Sequence, residues 1–169
     1  MRSGWLPYAI YTSILLLFTA SLFLVPYLLS NPDTRDAGVA LFRIYRPMCH
    51  QMPSRSFFLF GEQMPICSRD MGMYLGMFLG ALAFPFVFRI ESKSVPPFVF
   101  LFVAMVPIGL DGGIQYVSHI VELPFIGLYE STNALRLATG LLIGIAMSFY
   151  AIPLLNGVGV GIMKDMKKS

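Results

Sequence analysis

CHQMPSRSFFLFGEQMPICSRDMGMYLGMFLGALAFPFVF, Cys49 to Phe88, decides how this chain is read. Its first part holds both cysteines, one of the two histidines, Arg55, Arg69, Glu62 and Asp70. From Met71 to Phe88 there is no charged residue at all. A run of that length matches the ~20 residues that cross a bilayer as a helix. Gly72, Gly76 and Gly80 recur every fourth residue within it. On a helix they form one smooth stripe on which another backbone can pack closely, inside the chain or in a second copy as a homo-oligomer. The polar part is dense in Pro53, Gly61 and Pro65 and reads as a structured loop. Irregular backbone at membrane depth is tolerated only where protein or a wet cavity covers it.

The rest of the chain agrees. Of 169 residues, 56% are hydrophobic and 12% charged, about half the usual charged fraction. Mean hydropathy is +0.70. Each crossing needs about 20 residues, so the length allows one domain, residues 1–169, and not two bundles. Three more segments are long and apolar: Trp5 to Leu29, Pro96 to Leu110, and a helix opening at Ser131/Thr132 and running to Leu155. The first is longer than a signal-peptide core and is expected to be a retained anchor. The helix that starts near Pro96 is expected to continue through DGGIQYVSHI, with Gly112 and Gly113 as weak points. Residues 38–51 are too short to span and read as an interfacial or re-entrant helix. Residues 121–132, with Pro124 and Gly127, read as a loop, and NGVGVGIMKDMKKS as a tail. The expected fold is all-α, four transmembrane helices plus that short helix.

Lys93, Lys164, Lys167 and Lys168, with Arg2 and Arg89, fall in the loop between the second and third spans or at the termini. The positive-inside rule places both termini in the cytoplasm of a cell-membrane protein. Arg35, Arg43, Arg46, Arg55 and Arg69 then fall on the outer side, against the rule, and need another role. Generic contact with lipid headgroups is one; recognition of an anionic amphiphile is another. No basic run interleaved with aromatics points to nucleic acid.

Three polar groups could carry chemistry. Cys49, His50, Cys67 and Asp70 have the ligand types of zinc or another divalent transition metal, and Cys67 and Asp70 share a face at three residues' spacing. The same residues also fit packed interior thiols, or a disulfide and redox pair. Asp111, Gln115 and His119 share a face if the third span continues. Asp111 would sit about 22 Å along that helix. That depth is inside the ~30 Å hydrocarbon core, where a carboxylate needs a partner or a cavity. Glu130, Asn133 and Arg136 surround the start of the last helix, a natural anion site. Arg136 needs a partner there, and Asp111 or Glu130 are the candidates.

At these residues the sequence resembles a domain-of-unknown-function family of small prokaryotic integral membrane proteins. The resemblance covers roughly residues 40–145. It rests on CHQMPSRSF (49–57), PICSRDMGMYLG (65–76), DGGIQ (111–115) and ESTNALRLATG (130–140). It implies a small helical bundle and carries no reaction with it. Many relatives have C-x-R-C in the second motif, so Asp70 stands where they have a further cysteine. Both are metal ligands, so the exchange suits a metal site better than a C-x-x-C redox pair. Quinone-linked disulfide oxidases are similar in size but need a close cysteine pair that this chain lacks.

The leading expectation is a membrane-embedded, metal-dependent hydrolase or group transferase. Cys49, His50, Cys67 and Asp70 would hold zinc. Asp111 or Glu130 would be general acid/base. Arg55, Arg69, Gln115, Asn133 and Arg136 would hold an anionic, lipid-like substrate. The alternatives are a thiol/disulfide oxidoreductase using Cys49 and Cys67, and a small transporter or accessory subunit without catalysis.

Overall fold

The computed structural model describes residues 4–121 and 128–166, with side chains of the last helix as far as Val158. Four helices are long and apolar enough to cross a membrane: α1 (Trp5–Ser30), α3 (Ser68–Val87), α4 (Phe98–Ile120) and α5 (Asn133–Met166). α2 (Arg35–Ile44) is the short helix expected near residues 38–51. The third span does continue through Gly112 and Gly113 to Ile120. Most of the tail is helical too: α5 runs past Leu155 to Met166. Apolar surroundings favour this, because backbone groups left without water must pair within the helix. The loop expected around Pro124 and Gly127 lies outside the described residues.

The central contact is α3 on α5. A Cβ on Gly72 would run into the Leu137 carbonyl oxygen; Gly76 meets the Leu141 carbonyl in the same way, and Gly80 meets Ile145. The fit is mutual, because Gly140 and Gly144 of α5 lie against the carbonyls of Arg69 and Met73. The glycine stripe is therefore occupied within the chain, by a second stripe on α5. α1 packs beside this pair and α4 lies mainly along α5. Gly38 lets α2 fold back closely on the end of α1, where its Cβ would come within 2.9 Å of the Leu29 nitrogen.

By chain alternation, the end of α1, the start of α3, the end of α4 and the start of α5 share one end of the bundle. Residues 45–67 fold over it. Within them a two-stranded antiparallel hairpin, β1 (Phe58–Leu59) and β2 (Glu62–Gln63), stands where the sequence suggests only a loop. Its two turn residues, Phe60 and Gly61, both have positive φ, as a type I′ turn requires. Side-chain amides tie the loop down. Gln51 Nε2 donates to the carbonyls of Phe42 (2.7 Å) and Pro65 (3.0 Å), and Gln63 Nε2 donates to that of Gln51 (2.8 Å). Arg35 donates to the Leu29 carbonyl at the end of α1 (2.7 Å) and pairs with Glu62 (2.9 Å). Beneath, Leu22, Val25, Leu29, Tyr45, Met64, Ile66 and Met71 form one apolar cluster that includes Cys49.

Candidate functional site

Two polar centres sit at this end of the bundle, one on each side of the first turn of α3. Arg69 and Asp70 are adjacent, so they point about 100° apart. Asp70 turns to the cysteines and Arg69 turns to α4.

On the first side, Cys67 occupies the N-cap position of α3 in extended backbone, and its thiol donates to Asp70 Oδ2 one turn on (3.0 Å). Cys49 arrives from the end of the loop after α2. Its sulfur accepts from the backbone N–H of Cys67 (3.2 Å) and of Gln51 (3.5 Å). The two sulfurs and a carboxylate oxygen of Asp70 lie within 4.8 Å of one another. Both cysteines are free thiols. They open on a pocket of about 360 Å³ whose other walls are Met48, His50, Met52 and Arg55. His50 thus faces the pocket, but its ring nitrogens are not among the closely grouped ligand atoms.

Burial, the hydrogen bond to Asp70 and the nearby negative groups push the Cys67 thiol up to about 12 from 9.0. The raised value stabilises the fold fully below pH ~9, and the contribution is lost as pH rises towards 12. A metal-free chain at pH 8 should therefore alkylate at Cys67 on the order of a thousand-fold more slowly than an ordinary thiol. Asp70→Asn should speed the reaction. Maleimide labelling followed by mass spectrometry reads both; ordinary reactivity in the wild type would show that the Cys67–Asp70 contact does not persist.

On the second side, Arg69 Nη2 pairs with Asp111 Oδ2 at 2.5 Å. The sequence offers Asp111 as a partner for Arg136, but Arg69 takes it. Gly112 clears the way, because a Cβ there would stand 3.3 Å from Arg69 Nη1. The Tyr129 hydroxyl donates to Asp111 Oδ1 (2.9 Å). That bond to a carboxylate raises the tyrosine's pKa and keeps it a donor. Tyr129 is in turn held by Ser118 Oγ, which accepts from its backbone N–H (3.2 Å). Asp111 is buried, and Gln115, one turn along the same face, is buried with it. Arg136 is buried in α5 and donates to Asn133 Oδ1 (3.0 Å). Asn133 Nδ2 reaches the carbonyls of Ser54 (3.3 Å) and Ser56 (3.2 Å), clamping the Arg55 loop to the start of α5. The α5 N-cap is Thr132, whose Oγ1 accepts from the Leu135 N–H (3.2 Å).

The expected site residues therefore do not form one pocket. Cys49, Cys67 and Asp70 come together, with His50 and Arg55 on the same pocket wall. Arg69, Asp111, Gln115, Asn133 and Arg136 belong to the second centre. Glu130 is in neither: its side chain is 70% exposed and lies 3.9 Å from His119 Nε2. Tyr129 and Ser118 were not singled out from the sequence; the one available signal was that Tyr129 adjoins the ESTN motif.

The same stretches carry the comparison with known proteins. Residues 49–150 match a family model described as "Predicted membrane protein (DUF2085)". The chain belongs to this family. With four candidate spans, it is a multi-pass membrane protein. It is 36% identical over 143 residues to an uncharacterised protein of Methanocaldococcus jannaschii, covering 82% of this chain and 86% of that one. A second uncharacterised protein, from Methanothermobacter thermautotrophicus, is 36% identical over 105 residues, covering 62% of this chain and 84% of the relative. No solved structure matches at a significant level.

Proposed function

We propose that this protein is a membrane-embedded, zinc-dependent hydrolase or group transferase acting on an anionic, lipid-like substrate at the outer face of the cell membrane. One observation carries the reading: three ligand atoms within 4.8 Å of one another, opening on a pocket that Arg55 also lines. Three protein ligands with an open fourth position are the pattern of catalytic rather than structural zinc. Zinc held there supplies a Lewis acid and a bound water with pKa near 7. Arg55 holds the anionic group of the substrate. Asp111 is committed to Arg69 and Tyr129, and Glu130 is exposed beside His119 and does not line the pocket, so proton transfer falls to His50 on the pocket wall. Asp111 then serves as a positioning residue. Arg89 and Lys93, between α3 and α4 at the opposite end of the bundle, support cytoplasmic termini and an outward-facing site.

Metal analysis of the purified protein tests this. Near-stoichiometric zinc is expected in the wild type, lost in Cys67→Ala and Cys49→Ala while helicity is kept. Metal-free wild type that folds normally would end the reading.

A thiol/disulfide oxidoreductase is the second reading, favoured by the closeness of two free sulfurs. Mass spectrometry with and without reductant separates the two. Chelator-sensitive free thiols support zinc, and a reducible Cys49–Cys67 link supports redox chemistry.

A further inference from the structure

We propose that the second centre, between α3, α4 and α5, is a binding site for a phosphate group, carried by an anionic lipid that enters sideways between α3 and α4 or free in solution. The site is separate from the pocket in which Arg55 holds the substrate, and goes beyond the reading above. It stands whether or not the cysteines hold a metal.

The charge balance is the first argument. Arg136 is 5% exposed and feels the positive charges of both Arg55 and Arg69, offset in part by the carboxylates of Asp111 and Glu130. The buried carboxylate facing them is Asp111, already paired with Arg69. Among the described residues, the Arg136 guanidinium donates to the neutral Asn133 side chain and to no carboxylate. Buried guanidinium charge of this kind is costly unless an anion completes it.

Unused donors are the second argument. Arg69 Nε and Gln115 Nε2 are buried and have no hydrogen-bond partner among the described residues. Gln115 as a residue is 8% exposed. Orphaned buried donors are uncommon, and one frequent reason is a ligand or ion. The first turn of α5 adds free N–H groups and a partial positive charge. Guanidinium and amide donors around one centre suit a group with several acceptor oxygens, which a phosphate is.

The third argument is access. α4 packs along α5 but makes few close contacts with α3. Only 11% of its apolar window is buried, against 28% to 44% for the other spans. An acyl chain can lie between α3 and α4 while the headgroup reaches the arginines.

The test uses the full chain in nanodiscs with chelator present, so that it does not depend on zinc. Thermal midpoints are compared in phosphatidylcholine alone, in phosphatidylcholine doped with phosphatidylglycerol, and in phosphatidylcholine with added inorganic phosphate. Doping is expected to raise the wild-type midpoint. Binding should be roughly ten- to hundred-fold weaker in Arg136→Gln and Gln115→Leu, each of which removes one contact to a charged group. Arg46→Gln, an exposed arginine at the same end, should keep the effect. A rise with inorganic phosphate alone would support the site with phosphate in solution as its ligand. Should Arg136→Gln fail to fold, Gln115→Leu decides, because losing an orphaned amide does not weaken the empty protein. No rise under either condition, or an equal loss in Arg46→Gln, overturns the proposal.

Discussion

Replacing Gly76 by alanine should destabilise the bundle by about 1–3 kcal/mol, although alanine is the better helix former. The added methyl group would overlap the Leu141 carbonyl oxygen and lie 2.9 Å from its Cα. Neither is a side chain that can rotate away, so α3 and α5 must part along their length. Gly144→Ala should act alike from the other helix, because its Cβ meets the Met73 carbonyl and stands 2.9 Å from the Met77 nitrogen. Gly109→Ala is the control. Nothing lies within 4 Å of its Cβ, so only the helix-propensity gain of about 0.5–1 kcal/mol remains. Denaturant titration in micelles, followed by helicity, compares them. If Gly76→Ala and Gly109→Ala shift the midpoint in the same direction, the α3–α5 contact is not what holds the helices.

The spans were legible because a bilayer-length apolar run admits few alternatives. The glycine spacing on α3 was equally plain, but not what it packs against. A smooth stripe suits any backbone, and its partner became evident only when Gly140 and Gly144 were seen on α5 at the same spacing. Those two also stand in a G-x-x-x-G pattern in the sequence, so the signal was there to be used. The hairpin at residues 58–63 was not legible. Its turn puts Phe60 in the left-handed region, where asparagine or aspartate is the usual sign.

At the site, the nearness of Cys67 and Asp70 was legible, because i,i+3 spacing at a helix start is local geometry; that Cys49 joins them was not. Which side of the turn each residue serves was less visible. Adjacent residues diverge, and so Cys49 enters the ligand group while His50 faces the pocket without joining it. The same divergence sends Arg69 to Asp111, which the sequence offered to Arg136. Only the tertiary arrangement shows that Gly112 leaves room for Arg69 to arrive first.

The Arg69–Asp111 pair should give the largest single effect in the chain. Asp111→Ala leaves a guanidinium in a protein interior with its counter-charge gone, which costs about 3–5 kcal/mol. The lower end is expected, because the Arg69 side chain keeps 26% of its surface exposed while Asp111 keeps 3%. Asp111→Asn should cost less, since the amide oxygen still accepts from Arg69 and the amide NH2 can donate to the Tyr129 hydroxyl oxygen. If the pair acts mainly to lock α4 onto α3, removing both charges should restore most of the loss. A double variant, Arg69→Met with Asp111→Leu, should then unfold near the wild-type midpoint. A catalytic or transport role for Asp111 predicts the reverse pattern: Asp111→Asn would fold like the wild type, and the double variant would gain nothing over the single ones. Measuring the wild type, Arg69→Met, Asp111→Leu and the double variant in a double-mutant cycle decides between these, with a coupling energy near zero counting against the lock. The same cycle bears on the phosphate site. Asp111 is the buried negative charge that an incoming anion must sit beside, so folded Asp111→Asn should bind phosphate more tightly than the wild type.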